Sequence, residues 1–128
     1  NLGKDLVKLS EIMHDKSELP LVNENELMSK VLILITEKSF GCVGVINKKG
    51  NLIGVITDGD LRRNMNSDIV DKKAKSVMTH SPYLASQDTI VAEALNIMNT
   101  KKITSLFICK NEKPIGIVHI HDLLRLST

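Results

Sequence analysis

One layout occurs twice in this chain, and an internal repeat constrains a fold more tightly than any single motif. The run Gly54-Val55-Ile56-Thr57-Asp58-Gly59-Asp60-Leu61-Arg62-Arg63 closes an apolar stretch on a threonine. It then allows a two-residue turn and opens a short amphipathic segment at Asp60. Gly116-Ile117-Val118-His119-Ile120-His121-Asp122-Leu123-Leu124-Arg125 returns in the same order, so glycine, aspartate and helix start recur in register. A chain of 128 residues that carries two such units has two small halves rather than one continuous core.

The flanking residues complete the unit. Ser10-Glu11-Ile12-Met13 reads as a capped single turn, and Ser76-Val77-Met78 opens the second copy the same way. Leu19-Pro20-Leu21-Val22 and Pro82-Tyr83-Leu84-Ala85 read as short extended pieces, with proline at the strand edge where no ladder donor is missed. Asn25 is a cap for a helix over residues 26–38, with Leu27, Val31, Leu34 and Ile35 on one face and Leu32 and Ile33 widening the stripe. Asp88 caps its counterpart over residues 89–100, with Ile90, Val91, Ala94, Leu95 and Met98 inward and Glu93 outward.

Strand patterns follow each helix, over 43–46 and 52–57 and again over 103–109 and 115–119. Asn47-Lys48-Lys49-Gly50-Asn51 and Lys110-Asn111-Glu112-Lys113 join them as hairpin turns. Short helices close the copies over 60–65 and 122–126. Residues 66–75 are polar and unpatterned and read as the connection, Lys72, Lys73 and Lys75 being solvated there. Each copy is therefore β-α-β-β-α, too small to bury its own helices, and the two are expected to pack face to face.

Composition excludes several functions. Aromatic residues are 2% of the chain and Trp is absent, so there is no platform on which nucleic-acid bases could stack. Seventeen basic and fifteen acidic residues are interspersed and leave a formal charge of +2, which does not call for a polyanion. Two cysteines, Cys42 and Cys109, sit in apolar strand-like runs and read as buried free thiols of a reducing compartment. No apolar run reaches the roughly 18 residues of a membrane span, and the first residue is Asn rather than Met, as in a piece of a longer chain.

Two such units resemble a pair of cystathionine-beta-synthase (CBS) domains, over about 9–66 and 76–128. The Gly-Val-Ile-Thr-x-x-Asp run from Gly54 to Asp60 is the strongest local sign. Together with Val91-Ala92-Glu93-Ala94-Leu95-Asn96-Ile97-Met98, Lys102-Ile103-Thr104-Ser105 and His119-Ile120-His121-Asp122-Leu123-Leu124-Arg125, it resembles the C-terminal half of bacterial arabinose-5-phosphate isomerases. That resemblance implies an α+β, α/β-like fold of two repeats related by a pseudo-two-fold axis. It implies a cytoplasmic regulatory piece with an N-terminal sugar-isomerase domain on the same chain, assembled as dimers or tetramers. The parent enzyme would supply Kdo for lipopolysaccharide or capsule, and the small-molecule effector, an adenine nucleotide or CMP-Kdo, would lie in the cleft between the repeats.

The chemistry of such a site is reasonable on its own terms. Thr57 at a strand end and Asp60 at a helix start can point into one cleft, the carboxylate accepting a ribose diol and the hydroxyl working beside it. Without a ligand, the same two residues serve as helix cap and strand former. In the second copy Asp122 survives while His119 stands where Thr57 stands. Arg62, Arg63 and Arg125 sit at the starts of the closing helices, where guanidinium groups favour phosphate or carboxylate. His119 and His121, two apart on an extended strand, would leave opposite faces and hold no metal. No nucleophile–base arrangement, phosphate loop or paired-carboxylate cleft can be assembled, so the fragment itself is expected to be non-catalytic. An alternative role is a scaffold that holds isomerase subunits together without ligand.

Overall fold

A computed structural model describes residues 6–127 of the chain. It divides into two units, Pro20–Pro82 and a second built from the segment through Leu19 together with the chain from Tyr83 onward.

In the first unit β1 (Leu21–Asn23) runs into α1 (Met28–Lys38), which returns the chain to β2 (Cys42–Ile46) alongside β1. The β1–β2 pair is parallel, as a helical crossover demands. β3 (Leu52–Thr57) pairs antiparallel with β2, and β4 (Thr79–His80) closes the sheet in the order β1-β2-β3-β4. The β2–β3 turn is closed by Asn47, whose Oδ1 accepts the amides of Lys49 and Asn51, and by Gly50 at φ 83°. Two short helices, α2 (Asp58–Arg63) and α3 (Ala74–Val77), follow β3.

The core of this unit is Val22, Met28, Val31, Ile35, Val43, Val45, Ile56, Ile69, Ala74 and Val77. Two sequence expectations are corrected by it. Residues 66–75 are more than a solvated connection, because Ile69 and Ala74 are buried and pack in the core. The inward face of α1 is Met28, Val31 and Ile35, while Leu27, expected inside, is exposed and Ile33 is 60% exposed.

In the second unit β5 (Leu84–Ala85) leads into α4 (Val91–Lys101), then β6 (Ser105–Lys110), β7 (Lys113–His119) and α5 (Ile120–Ser127). The sheet order is β5-β6-β7, parallel and then antiparallel. The hairpin is tighter than the pattern indicated. Lys110 pairs with Lys113, leaving only Asn111 (φ 52°) and Glu112 (φ 68°) in the turn. Pro114 lies opposite Cys109, beside the register irregularity of the ladder, a place where a strand accommodates proline. The core is Leu9, Ala85, Val91, Ala94, Met98, Leu106, Ile108, Val118 and Leu123.

The opening turns are exchanged. The turn at Leu9–Glu11, first in the chain, packs with the sheet that is last, and His14 exchanges both backbone hydrogen bonds with Ile117 of β7. The turn at Ala74–Val77 packs with the first sheet, and Thr79 pairs with Val55 of β3.

Both long helices start later than Asn25 or Asp88 would place them, at Met28 and Val91 with Leu27 and Ile90 as caps. Backbone from far along the chain takes the place of a side-chain cap. Met28 N–H donates to Lys72 O and Ala74 N–H to Glu26 O, while Val91 N–H donates to Val7 O and Leu9 N–H to Thr89 O.

Candidate functional site

The repeated motif lands on the junction between the last strand and the closing helix of each unit. At the first, Thr57 ends β3 in extended conformation and caps α2. Its Oγ1 accepts the Asp60 amide at 3.4 Å, and Asp60 Oδ2 accepts the Thr57 amide at 2.9 Å, a reciprocal box. The cap therefore lies at Thr57, and α2 starts at Asp58 rather than at Asp60.

Asp60 is only 3% exposed, and its carboxylate is ringed by donors. Oδ2 also accepts the Thr57 hydroxyl at 3.1 Å, while Oδ1 accepts Arg63 Nη2 at 2.7 Å and the Thr79 hydroxyl at 2.6 Å. Burial alone would raise the Asp60 carboxyl above its ordinary 3.8. Hydrogen bonds from the Thr79 hydroxyl, the Thr57 amide, Arg63 and the Thr57 hydroxyl overcome that and hold it below. Arg62 and Arg63 lie in the last turn of α2, and Arg125 in the last turn of α5, rather than at the helix starts where the sequence placed them; there a cation suits the helix dipole, and Arg62 is exposed.

The second junction keeps the aspartate and changes its surroundings. Asp122 Oδ2 accepts the His119 amide at 2.9 Å and lies 3.1 Å from His14 Nε2, while Oδ1 accepts Arg125 Nη2 at 2.6 Å. The other nitrogen of His14 is 3.3 Å from Glu18 Oε1. Its counterpart Asp60 carries an arginine three residues on in the same way.

His119 and His121 do not diverge as their spacing in an extended strand implied. The strand ends at His119 and the helix turns His121 back, so the rings meet edge to face with centroids 4.7 Å apart. His119 Nδ1 accepts the His121 amide at 3.1 Å, which places the proton of the neutral ring on Nε2. Burial holds His119 below the usual imidazole value of 6.5. His121 and Arg125 push in the same direction, and Asp122 opposes them. Among the described residues no group of three His, Cys, Asp or Glu side chains is arranged to hold a metal ion.

The structure thus brings Thr57, Asp60 and Arg63 together, and His119, Asp122 and Arg125 together, each set within one unit. Two residues that the motif did not reveal complete the sets, Thr79 and His14. They occupy matching places, each following an apolar-Met pair whose methionine lies against a strand glycine, Met78 at Gly54 and Met13 at Gly116. That shared apolar-Met pattern was the available signal, though it reads locally as core filling.

Comparison with known proteins agrees with this geometry. The CBS domain family matches residues 5–67 and again residues 74–128. An uncharacterized protein of Rickettsia prowazekii is 44% identical over 126 residues, which is 98% of this chain and 40% of that protein. The arabinose 5-phosphate isomerase KdsD of Yersinia pestis is 35% identical over 124 residues, covering 95% of this chain and 38% of the isomerase. The chain therefore spans about two fifths of the length of these curated relatives. Among solved structures, CBSX2 in complex with AMP superimposes with a TM-score of 0.78 at 23% identity, over 94% of this chain and 95% of that one. No helix among the described residues is long and apolar enough to cross a membrane. With both strand-to-helix junctions accounted for and both copies matched, the chain belongs to the CBS domain family.

Proposed function

We propose that this CBS pair is the regulatory ligand-binding module of a sugar-phosphate isomerase, an arabinose 5-phosphate isomerase of Kdo biosynthesis. The alignment with KdsD over 95% of this chain and 38% of that enzyme carries the reading. On it, the catalytic sugar-isomerase domain precedes these residues on the same chain, and the CBS copies lie at about 9–66 and 76–128. The parent acts in lipopolysaccharide or capsule synthesis, in the cytoplasm, as a dimer or tetramer.

The ligand is a nucleotide or nucleotide-sugar. AMP in the CBSX2 structure supports the adenine nucleotides, and CMP-Kdo is the end-product candidate. Thr57, Asp60, Arg62 and Arg63 form its contacts in one unit. His119, Asp122 and Arg125 offer a second, more basic set in the other. Ligand biases the attached isomerase only as far as it prefers one arrangement of the module over another.

Thermal unfolding of this chain against AMP, ATP and CMP-Kdo tests the reading, since a ligand at a hundred times its Kd stabilises by about 2.7 kcal/mol. One of them should raise the melting temperature and change the kinetics of the full-length isomerase. No shift with any of them would favour a second role, a scaffold without ligand. One observation supports that role: every donor that Asp60 needs already comes from the protein.

A further inference from the structure

An ionised carboxylate offers about four lone-pair positions, two on each oxygen. At Asp60 four protein donors already stand on them: the Thr57 amide and hydroxyl on Oδ2, the Thr79 hydroxyl and Arg63 on Oδ1. The side chain is 4% exposed, so a hydroxyl-bearing ligand finds neither an open lone pair nor open surface on it. If Asp60 is to accept even one ligand hydroxyl, one of the four donors must leave.

The donors differ in what leaving would cost. The Thr57 amide and hydroxyl belong to the reciprocal cap that starts α2. Thr79 is short and β-branched, and its backbone is fixed by pairing with Val55 in the sheet. Arg63 is long, and its side chain is 66% exposed, so it can release Asp60 with only its own rotamers changing. Its release is not free, because a guanidinium–carboxylate contact at 2.7 Å is a charge-assisted bond to a buried anion.

We infer that Arg63 is a gate on Asp60, displaced by a ligand that brings both a hydroxyl for the vacated lone pair and an anionic group for the released guanidinium. This rests on the binding role proposed above and specifies its ligand class: a polyol carrying phosphate or carboxylate within guanidinium reach. A neutral nucleoside must break the Arg63–Asp60 contact and leaves the cation unpartnered. A nucleoside monophosphate breaks the same contact and repartners it. The gate therefore selects charged ligands, although its own effect on the diol is purely competitive.

The experiment is titration calorimetry of adenosine and of AMP against the wild-type chain, Arg63→Ala and Arg63→Gln, with melting curves to establish that the variants fold. In both variants adenosine should bind more tightly, by about tenfold for loss of one competing charge-assisted contact. AMP should bind no more tightly than to wild type, so the preference for AMP over adenosine falls by at least that factor. A common weakening of both ligands, or weakening of AMP alone with adenosine unchanged, would make Arg63 an ordinary contact and overturn the gate while leaving the binding role standing. If neither ligand binds any of the three proteins, the adenine-nucleotide form of the binding role fails and the gate with it. Adenosine binding that emerges only in the variants would support the gate most directly.

Discussion

The two strand-to-helix junctions share a backbone plan and differ in what surrounds the acid. Asp60 is held by two threonine hydroxyls, an amide and an arginine. Asp122 is held by an arginine and an amide and faces His14, with Glu18, His119 and His121 close by. One carboxylate is thus enclosed by hydroxyl, amide and guanidinium donors, and the other stands in a cluster that contains three histidines. Duplication supplied the geometry, and four side chains made the copies chemically distinct: Thr57 and Thr79 in one, His119 and His14 in the other.

The largest expected effect tests whether the shared plan is equally tight in both copies. A Cβ at Gly54 would meet Met78 Cγ at 2.9 Å and the carbonyl oxygen of Thr79, also at 2.9 Å. The three atoms nearest to a Cβ at Gly116 all belong to the Met13 side chain, Sδ, Cγ at 2.7 Å and Cβ at 3.0 Å, with no backbone atom among them. Methionine can change rotamer, but a carbonyl in a paired strand cannot move without opening β3 from β4. Gly54→Ala should therefore cost about 3 kcal/mol and Gly116→Ala about 2 kcal/mol, within the range for overpacked cores. Denaturant titration of both variants gives the order, and equal losses would mean that both methionines yield alike.

Removing the acids probes their surroundings. Asp60→Ala strips one acceptor from four donors at a site 3% exposed, and should cost about 2 kcal/mol. Asp122→Ala should cost about 1 kcal/mol, because its side chain is 13% exposed and water can reach the abandoned partners. Equal losses in the same denaturant assay would show that exposure does not separate the two clamps.

The next effect is a matter of pH, and its sign follows from the shifts. His119 is held below its ordinary value, so the folded state disfavours the cation. Its contribution is present above the unfolded value near 6.5 and is lost as pH falls through the folded value. Asp60 is also depressed, and its contribution is lost only as pH falls through a value under the ordinary 3.8. His119→Thr, which installs the residue found at Thr57, should flatten the decline in melting temperature between about pH 7.5 and about pH 5.5. The same slope in variant and wild type would mean that the rest of the cluster, not His119, sets the acid response.

How much of this was readable beforehand differs by kind of contact. The repeat and the β-α-β-β-α succession come from residues near one another in sequence, and Gly54 to Asp60 announces them, although the cap itself falls on Thr57 and not on Asp60. The helix starts were missed because Asn25 and Asp88 are sound local caps. The amides they would have satisfied are met instead by backbone from far along the chain, Met28 by Lys72 and Val91 by Val7. Ile69 and Ala74 were missed for the same reason, as single apolar residues in a polar stretch carry no period. Thr79 and His14 reach the acids only because the opening turns are exchanged between sheets, and no local pattern encodes an exchange.

The smallest effect compares the hairpins. Gly50 supplies the positive φ of the first, while the second forces Asn111 and Glu112 into the left-handed region at 52° and 68°. A two-residue turn with both φ positive favours Asn-Gly, and glutamate at the second place bears a Cβ penalty that glycine does not. Glycine also has more backbone freedom to lose on folding, which returns part of that gain. Glu112→Gly should therefore stabilise by only about 0.5 kcal/mol, read as a small rise in melting temperature. A loss instead would show that the Glu112 side chain contributes more to its surroundings than its backbone conformation costs, and that the second hairpin is fitted to its glutamate.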